Sequence, residues 1–177
     1  MLAAPVIGLV VGWLAGGRLD RLAAIRFRWA ALAVAGLLAQ VVLFSTPFGD
    51  AIGPLAPVVY VVTTALVLAV VLRNLDLPAV GKPGLALVAL GSLSNLAAIV
   101  ANGGYMPADP GALAAAGTTI GSGYTNSIVV DSPALRPLTD VFALPAWIPL
   151  ASVFSVGDVL IGIGIAAAIV AGMRRAG

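Results

Sequence analysis

Residues 155–173 read SVGDVLIGIGIAAAIVAGM, and this stretch determines the class of protein to which the chain belongs. Asp158 is its one charged side chain, and its length is close to the roughly 20 residues that a helix needs to cross a bilayer. Similar apolar runs precede it at 2–17, 29–45, 55–72 and 85–101. The sequence therefore predicts an all-α membrane protein built as a five-helix transmembrane bundle.

The composition supports the same fold class. The chain has 177 residues, of which 61% are hydrophobic and 9% are charged, and its mean hydropathy is +1.12. A soluble domain carries about a quarter charged residues. We therefore expect one multi-pass domain, residues 1–177, in the inner or plasma membrane of a cell, with the lipid bilayer as its first partner.

The residue types that are missing restrict the chemistry. The chain has no His and no Cys, and its seven acidic residues are all Asp. These absences exclude haem held by His, iron–sulfur clusters, structural zinc, disulfides, thiol catalysis and a Ser-His-Asp triad. We expect no cofactor and no metal, and any acid–base chemistry rests mainly on the Asp residues.

The basic residues predict the orientation. Of the nine, eight lie between the first and second runs, between the third and fourth, or after the fifth: Arg18, Arg21, Arg26, Arg28, Arg73, Lys82, Arg174 and Arg175. By the positive-inside rule the N-terminus is outside, the C-terminus is cytoplasmic, and residues 48–54 and 102–149 are outside. Only Arg136 departs from this pattern. Because the cations are divided among three short segments, membrane topology explains them better than nucleic-acid binding.

The long external segment 102–149 is predicted to form a cap on the bundle, because it mixes turn signals with many apolar residues. Within it, residues 141–154 are apolar, too short to span, and interrupted by Pro145 and Pro149, which predicts a re-entrant or interfacial segment. Trp147, Tyr105 and Tyr124 are expected to anchor at the membrane interface, with ligand contact as the alternative.

Polar residues of four predicted helices fall at similar depths below the external surface. At a rise of about 1.5 Å per residue, Asn95 is about 9 Å deep and Gln40 and Tyr60 are about 8 Å deep, and Asp158 lies one turn into the fifth helix. Polar groups in hydrocarbon generally turn inward, where they pair or line a wet cavity. This layer is the candidate binding site, and interhelical bonds that only hold the bundle together are the alternative.

Two residues of the external segment join the candidate site. Asn102 and Tyr105 follow directly after the fourth run and are included among the candidate binding residues.

Asp158 also has a structural explanation. Ser155 and Asp158 have the spacing of a capping box, with Ser155 at the N-cap and Asp158 at the third helical position. A carboxylate there is favoured by the helix dipole as well.

Small residues recur every fourth position in two of the runs. Gly8, Gly12 and Gly16 form a tandem GxxxG pattern in the first run, and the last run has a similar face of Gly164, Ala168 and Gly172. Such faces allow helices to approach closely. Packing within the chain, self-association and contact with a membrane-protein partner are the alternatives.

Four segments together resemble a family of small bacterial integral-membrane proteins classed as a domain of unknown function. They are SNL at 94–96, NGGYMP at 102–107, LTDVFALP at 138–145 and FSVGDVLI at 154–161. The resemblance covers most of the chain and implies no activity.

A second resemblance is local and implies a catalytic activity. The order of SNL at 94–96, LTDVF at 138–142 and FSVGD at 154–158 is similar to the Gly-Asn-Leu, Val-Val-Asp-Phe and Phe-Asn-Xaa-Ala-Asp elements of lipoprotein signal peptidase, an aspartic intramembrane peptidase. The resemblance implies that Asp140 and Asp158 are a catalytic pair. In such a pair one carboxylate activates water while the protonated partner polarises the scissile carbonyl. The acidic residue that follows the first element in the peptidase is absent here.

Three classes of function remain open. The first is an aspartate-dependent intramembrane hydrolase with Asp140 and Asp158 as catalytic residues and Asn95 as their orienting partner. The second is a non-catalytic accessory or scaffold subunit of a larger membrane complex, and the third is a small transporter or lipid-binding protein. A catalytic pair requires the two carboxyls to converge, with a raised pKa on at least one of them. An accessory subunit requires instead an open face of small residues.

Overall fold

A computed structural model describes residues 3–45, 47–120, 125–149 and 151–174. Tyr124 and Arg175, which the sequence assigns to the interface and to the basic end, lie outside these ranges. The described chain is mostly helical, with eight α-helices in the following order. They are α1 (Ala3–Leu14), α2 (Leu19–Ala23), α3 (Ala30–Ser45), α4 (Phe48–Ile52), α5 (Ala56–Arg73), α6 (Lys82–Ala101), α7 (Pro110–Ala116) and α8 (Val156–Arg174).

The principal helix contacts follow the order α1, α8, α6, α5, α3, so α8 lies between the first and fourth long helices of the chain. Neighbours α6 and α8 run antiparallel, whereas α1 runs parallel to α8. One end of the bundle therefore carries the segment 102–149, and we call it the cap end. The other end carries the basic residues, and there the Asn74 side chain bonds to the backbone N–H and C=O of Arg28.

Three helices are long and apolar enough to cross a membrane: Phe48–Arg73, which joins α4 to α5, Lys82–Ala101 and Val156–Arg174. The other two apolar helices, α1 and α3, have 12 and 16 residues and are shorter than a full span. Large apolar side chains remain exposed on the bundle, among them Trp13 at 70% and Leu14 at 72%. Helices that are apolar on their exposed faces indicate a membrane protein.

The helix bounds differ from the predicted runs where glycine or proline intervenes. The first helix ends at Leu14 rather than at residue 17, because Gly16 adopts a positive φ of 76°. The fourth long helix begins at Lys82 rather than at residue 85, with Pro83 in its first turn. The segment 48–54, predicted as a plain connection, instead contains the short helix α4.

Glycines bring α8 close to both of its neighbours. A Cβ on Gly8 would lie 3.0 Å from the Ala166 Cα, and one on Gly84 would lie 2.8 Å from the Ala168 backbone N. Gly12 packs in the same way against Met173. Gly8 and Gly12 of the predicted GxxxG face are thus used for packing within the chain, as are Gly164 and Gly172 of α8. Gly16 lies beyond the end of α1, and a Cβ there would have no described atom within 4 Å, so it is not part of a packed helix face.

The cap contains two small sheets as well as α7. Strand β1 (Met106–Pro107) pairs in parallel with β2 (Ser127–Ile128), and β3 (Phe142–Ala143) pairs antiparallel with β4 (Val153–Phe154). The segment 141–154, predicted to re-enter or lie in the interface, therefore begins and ends as paired strands, with the Phe142 and Phe154 rings stacked at 5.6 Å between centroids. Prolines within the segment disfavour a helix there.

Candidate functional site

Asn95, Ser155 and Asp158 form a closed set of hydrogen bonds at the cap end of α6 and α8. Asn95 Nδ2 donates to Asp158 Oδ1 at 2.8 Å, and the Ser155 backbone N–H donates to Asp158 Oδ2 at 3.0 Å. Ser155 Oγ donates to Asn95 Oδ1 at 2.8 Å and accepts from the Asp158 backbone N–H at 3.1 Å. Each side chain therefore orients the other two.

The local sequence explains this arrangement. The two bonds between Ser155 and Asp158 are the capping box predicted from the sequence, and they satisfy backbone N–H groups at the start of α8. Asn95 reaches this turn because Gly157 and Gly91 have no side chains at the crossing of α8 and α6. A Cβ on Gly157 would collide with the Asn95 amide and lie 2.8 Å from the Gly91 carbonyl oxygen.

Asp140 is placed by the cap rather than by a helix. Its backbone N–H donates to the Pro107 carbonyl at 3.0 Å, and its carbonyl accepts from the Asp109 N–H at 3.0 Å. These bonds place Asp140 next to the end of β1, where it forms an isolated parallel β-bridge with Ala108. The residue is only 7% exposed, and its buried Oδ1 has no hydrogen-bond partner within the described ranges. A buried carboxyl with an unpaired oxygen favours the protonated form.

The charge of Asp158 affects the pKa of Asp140. Burial, followed by the negative charge of Asp158, raises the pKa of Asp140 to about 7. Tyr60 belongs to the same neighbourhood, because its hydroxyl shares a hydrogen bond with the Asn126 side chain and interacts electrostatically with both aspartates. Asp140 and Tyr60 therefore lie within electrostatic range of Asp158 at the cap end.

The raised pKa of Asp140 predicts a pH-dependent stability. Between the ordinary value of 3.8 and about 7, the folded chain retains a proton that the unfolded chain releases. The free energy of unfolding should therefore fall by about 3 to 4 kcal/mol as the pH rises from about 4 to about 7, and change little above that range through this group. Denaturant unfolding of the detergent-solubilised protein at several pH values measures this slope. Asp140→Asn should remove it, and an equal slope in both proteins would contradict the assignment.

A groove of about 320 Å³ opens beside Asp158 between α1 and α8. Its apolar walls come from both helices and from the cap, and they include Ala3, Ile7, Leu144, Phe154 and Gly162. The groove is open to the outside of the bundle, and Asp158 is among the residues that line it.

The other candidate residues have separate partners. Gln40 donates across helices to the hydroxyls of Thr63 and Thr64 at 3.2 Å each, and Thr63 in turn donates to its own helix. Asn102 bonds to the backbone of the cap. Its amide nitrogen donates to the Ala134 C=O, and its amide oxygen accepts from the Ala134 N–H. Tyr105 is half-buried directly before β1.

The bonds of Asn95 predict a measurable contribution to stability. Asn95→Ala removes one donor from Asp158 and the acceptor of the Ser155 hydroxyl, which should lower the free energy of unfolding by about 1 to 3 kcal/mol. Ser94→Ala is a matched control, because the Ser94 hydroxyl bonds to the Leu90 carbonyl of its own helix and not to α8 in the part of the chain that the structure describes. Denaturant titration in detergent compares the two, and equal losses would show that the Asn95 bonds contribute nothing specific.

Sequence reasoning missed three parts of this site. Ser155 was recognised as a cap but not as the hydrogen-bond partner of Asn95, and Asn126 was not considered as a partner of Tyr60. The role of Gly157 was missed as well. Gly157 lies inside the capping box of α8, and the preceding long helix α6 carries Asn95. A glycine at that position is the signal that could have suggested a close crossing of the two helices.

Comparison with known proteins identifies the family of this chain but assigns it no activity. A model of DUF5317, described as a family of unknown function, matches residues 24–170, a range that contains Asn95, Asp140 and Asp158 and leaves α1 outside. No curated protein and no solved structure matches the chain. Because the family model covers most of the sequence, this chain belongs to DUF5317, a family of unknown function.

Proposed function

We propose that this protein is a multi-pass membrane hydrolase in which Asp140 and Asp158 act as an acid–base pair on an amide bond near the external membrane surface. The observation that carries the proposal is the buried Asp140 carboxyl, whose pKa is raised to about 7 by burial and by the charge of Asp158. The five apolar helices span the membrane in this proposal, with the cap outside and the basic end in the cytoplasm, as the distribution of Lys and Arg favours.

The two carboxyls differ in a way that suits this chemistry. Asp158 accepts N–H bonds from Asn95 and Ser155, and these bonds fix the orientation of its carboxyl group. Each carboxylate oxygen can accept a second bond, so Asp158 retains acceptor capacity for a water molecule. Asp140 keeps its proton at and below about neutral pH. One group is therefore suited to be the base and the other the acid.

The proposed reaction follows from these states. Asp158 accepts a proton from water as the water oxygen attacks the carbonyl carbon, and Asp140 donates its proton toward the carbonyl oxygen. When the tetrahedral intermediate collapses, the C–N bond breaks, Asp158 returns its proton to the leaving nitrogen, and Asp140 recovers a proton from a hydroxyl of the intermediate as the new carbonyl forms. Asn95 acts as a positioning residue, because it touches Asp158 and Ser155 rather than the substrate in this scheme.

Access from the membrane supports the same proposal. The groove between α1 and α8 reaches Asp158 from the side, so a substrate embedded in the outer half of the bilayer needs no path through water. The accessory-subunit alternative receives less support, since Gly8 and Gly12 of the small-residue face are already packed against α8.

The experiment uses the full-length protein in lipid vesicles. The probe is a mixture of synthetic peptides anchored by an apolar segment, with varied residues at the external surface, and the products are identified by mass spectrometry. We expect cleavage at a restricted set of bonds, and no cleavage by protein that carries Asp158→Asn. Identical product patterns for the wild type and this variant would overturn the proposal.

A further inference from the structure

A separate cavity of about 270 Å³ lies on the cap, and it has a different character from the groove beside Asp158. Residues 107–110 and the segment 130–141 form its walls, and three charged residues line it: Asp109, Asp131 and Arg136. The neighbours of Asp140, Thr139 and Val141, also line the cavity. The Asp140 carboxyl itself is buried, so the cavity is distinct from the proposed active site.

Two of the charged residues of this cavity, Asp109 and Arg136, are bonded to each other before any ligand binds. Asp109 caps α7, since its Oδ1 accepts the N–H bonds of Gly111 and Ala112 at 2.9 and 3.1 Å. Its Oδ2 accepts Arg136 Nη2 at 3.2 Å. Arg136 is fixed in turn at the backbone, because its carbonyl accepts bonds from the Thr139 N–H and hydroxyl. Preorganised groups lose less entropy on binding.

Two of the charges retain binding capacity. The Arg136 guanidinium has five N–H donors and gives one to Asp109. Asp131 is exposed and has no ion pair with any residue of the described chain. The cavity therefore offers a carboxylate acceptor and guanidinium donors to one small ligand. No aromatic ring lines it within the described residues, so it lacks the cage that quaternary ammonium groups require.

We propose that this cavity binds a small zwitterion, with a primary ammonium paired with Asp131 and an anionic oxygen paired with Arg136. Two sources share this chemistry: the headgroup of an ethanolamine phospholipid at the membrane surface, and a free amino acid. The proposal does not depend on the hydrolase activity, because the residues that carry it are separate from Asp140 and Asp158.

The test titrates purified full-length protein with free phosphoethanolamine, glycine and phosphocholine by calorimetry. A second arm measures by native mass spectrometry which lipid is retained from vesicles of mixed ethanolamine and choline phospholipids. Binding of phosphoethanolamine or retention of the ethanolamine lipid assigns the headgroup, and binding of glycine assigns a free amino acid. Each of these outcomes supports the site if Asp131→Asn weakens the measured binding about tenfold or more.

The control variant is Asp50→Asn, which removes an acidic residue of α4 outside the cavity and should leave binding unchanged. Arg136→Lys keeps the positive charge but removes the planar donor set, so it should weaken the anionic contact without removing the ammonium contact. The proposal is overturned if neither the zwitterions nor the ethanolamine lipid binds, if phosphocholine binds equally well, or if Asp131→Asn binds as tightly as the wild type.

Discussion

We expect Asp140→Asn to abolish cleavage of the membrane-anchored peptides while the protein remains folded. In the proposed reaction Asp140 supplies the proton to the carbonyl oxygen, and an amide side chain has no such proton to give. Loss of a positioned acid costs about a hundredfold to ten-thousandfold in rate. The fold should survive, because Asn has nearly the same shape as Asp and removes the cost of a buried carboxyl.

The measurement is the initial rate of cleavage in vesicles at a pH below 7, with the unfolding midpoint of each protein determined in parallel. Asp50→Asn is the matched control, since it removes a carboxyl at the cap end that has no place in the proposed reaction. If Asp140→Asn retains a tenth or more of the wild-type rate, Asp140 is not the acid.

Gly157→Ala destabilises the protein, although alanine is normally the better residue inside a helix. The added Cβ would collide with the Asn95 amide, which is already fixed by Asp158 and Ser155, and would lie 2.8 Å from the Gly91 carbonyl oxygen. Since backbone atoms of α6 cannot move without separating the two helices, we expect a loss of about 2 to 4 kcal/mol. The same change should displace Asn95 and reduce cleavage.

Gly162→Ala is the matched control one turn further along the same helix. A Cβ there would lie 3.6 Å from the Ala4 Cβ, an ordinary van der Waals distance. It should be neutral or stabilise the protein by up to about 1 kcal/mol. Denaturant unfolding in detergent gives both values, and equal effects of the two substitutions would show that the crossing at Gly157 is not close.

The long helices could be predicted from the sequence because their signals are local. The last run, 155–173, became Val156–Arg174, and its capping box is present as expected. The run 29–45 became Ala30–Ser45. Continuous apolar residues and a cap at fixed spacing are sufficient for such elements. The short helix α4 was missed, because Gly49, Asp50 and Gly53 together have the composition of a turn.

The order of the helices could not be predicted in the same way. It depends on which glycine faces which backbone, for example Gly91 against Gly157, and these residues are far apart in sequence. The predicted polar layer illustrates the difference. Asn95 and Asp158 meet, as they should if both face inward, whereas Gln40 bonds to Thr63 and Thr64 between α3 and α5.

The burial of Asp140 also lies beyond local sequence signals. Asp140 is placed by backbone bonds to Pro107 and Asp109, more than 30 positions earlier in the chain. Asp140 was a candidate from its sequence motif alone, and the comparisons do not support the peptidase resemblance that suggested it. The physical reason for its burial is the pairing of two short cap segments. Such long-range pairing has no local pattern, so the raised pKa of this carboxyl required the structure.

The most direct test of the account is the pH profile of peptide cleavage by the wild-type protein in vesicles. The pair requires Asp140 to be protonated, so the rate should fall on the alkaline side with a midpoint near the pKa of about 7. A cleavage rate that does not change between pH 6 and 8, or no cleavage above the level of protein-free vesicles at any pH, would contradict the central claim.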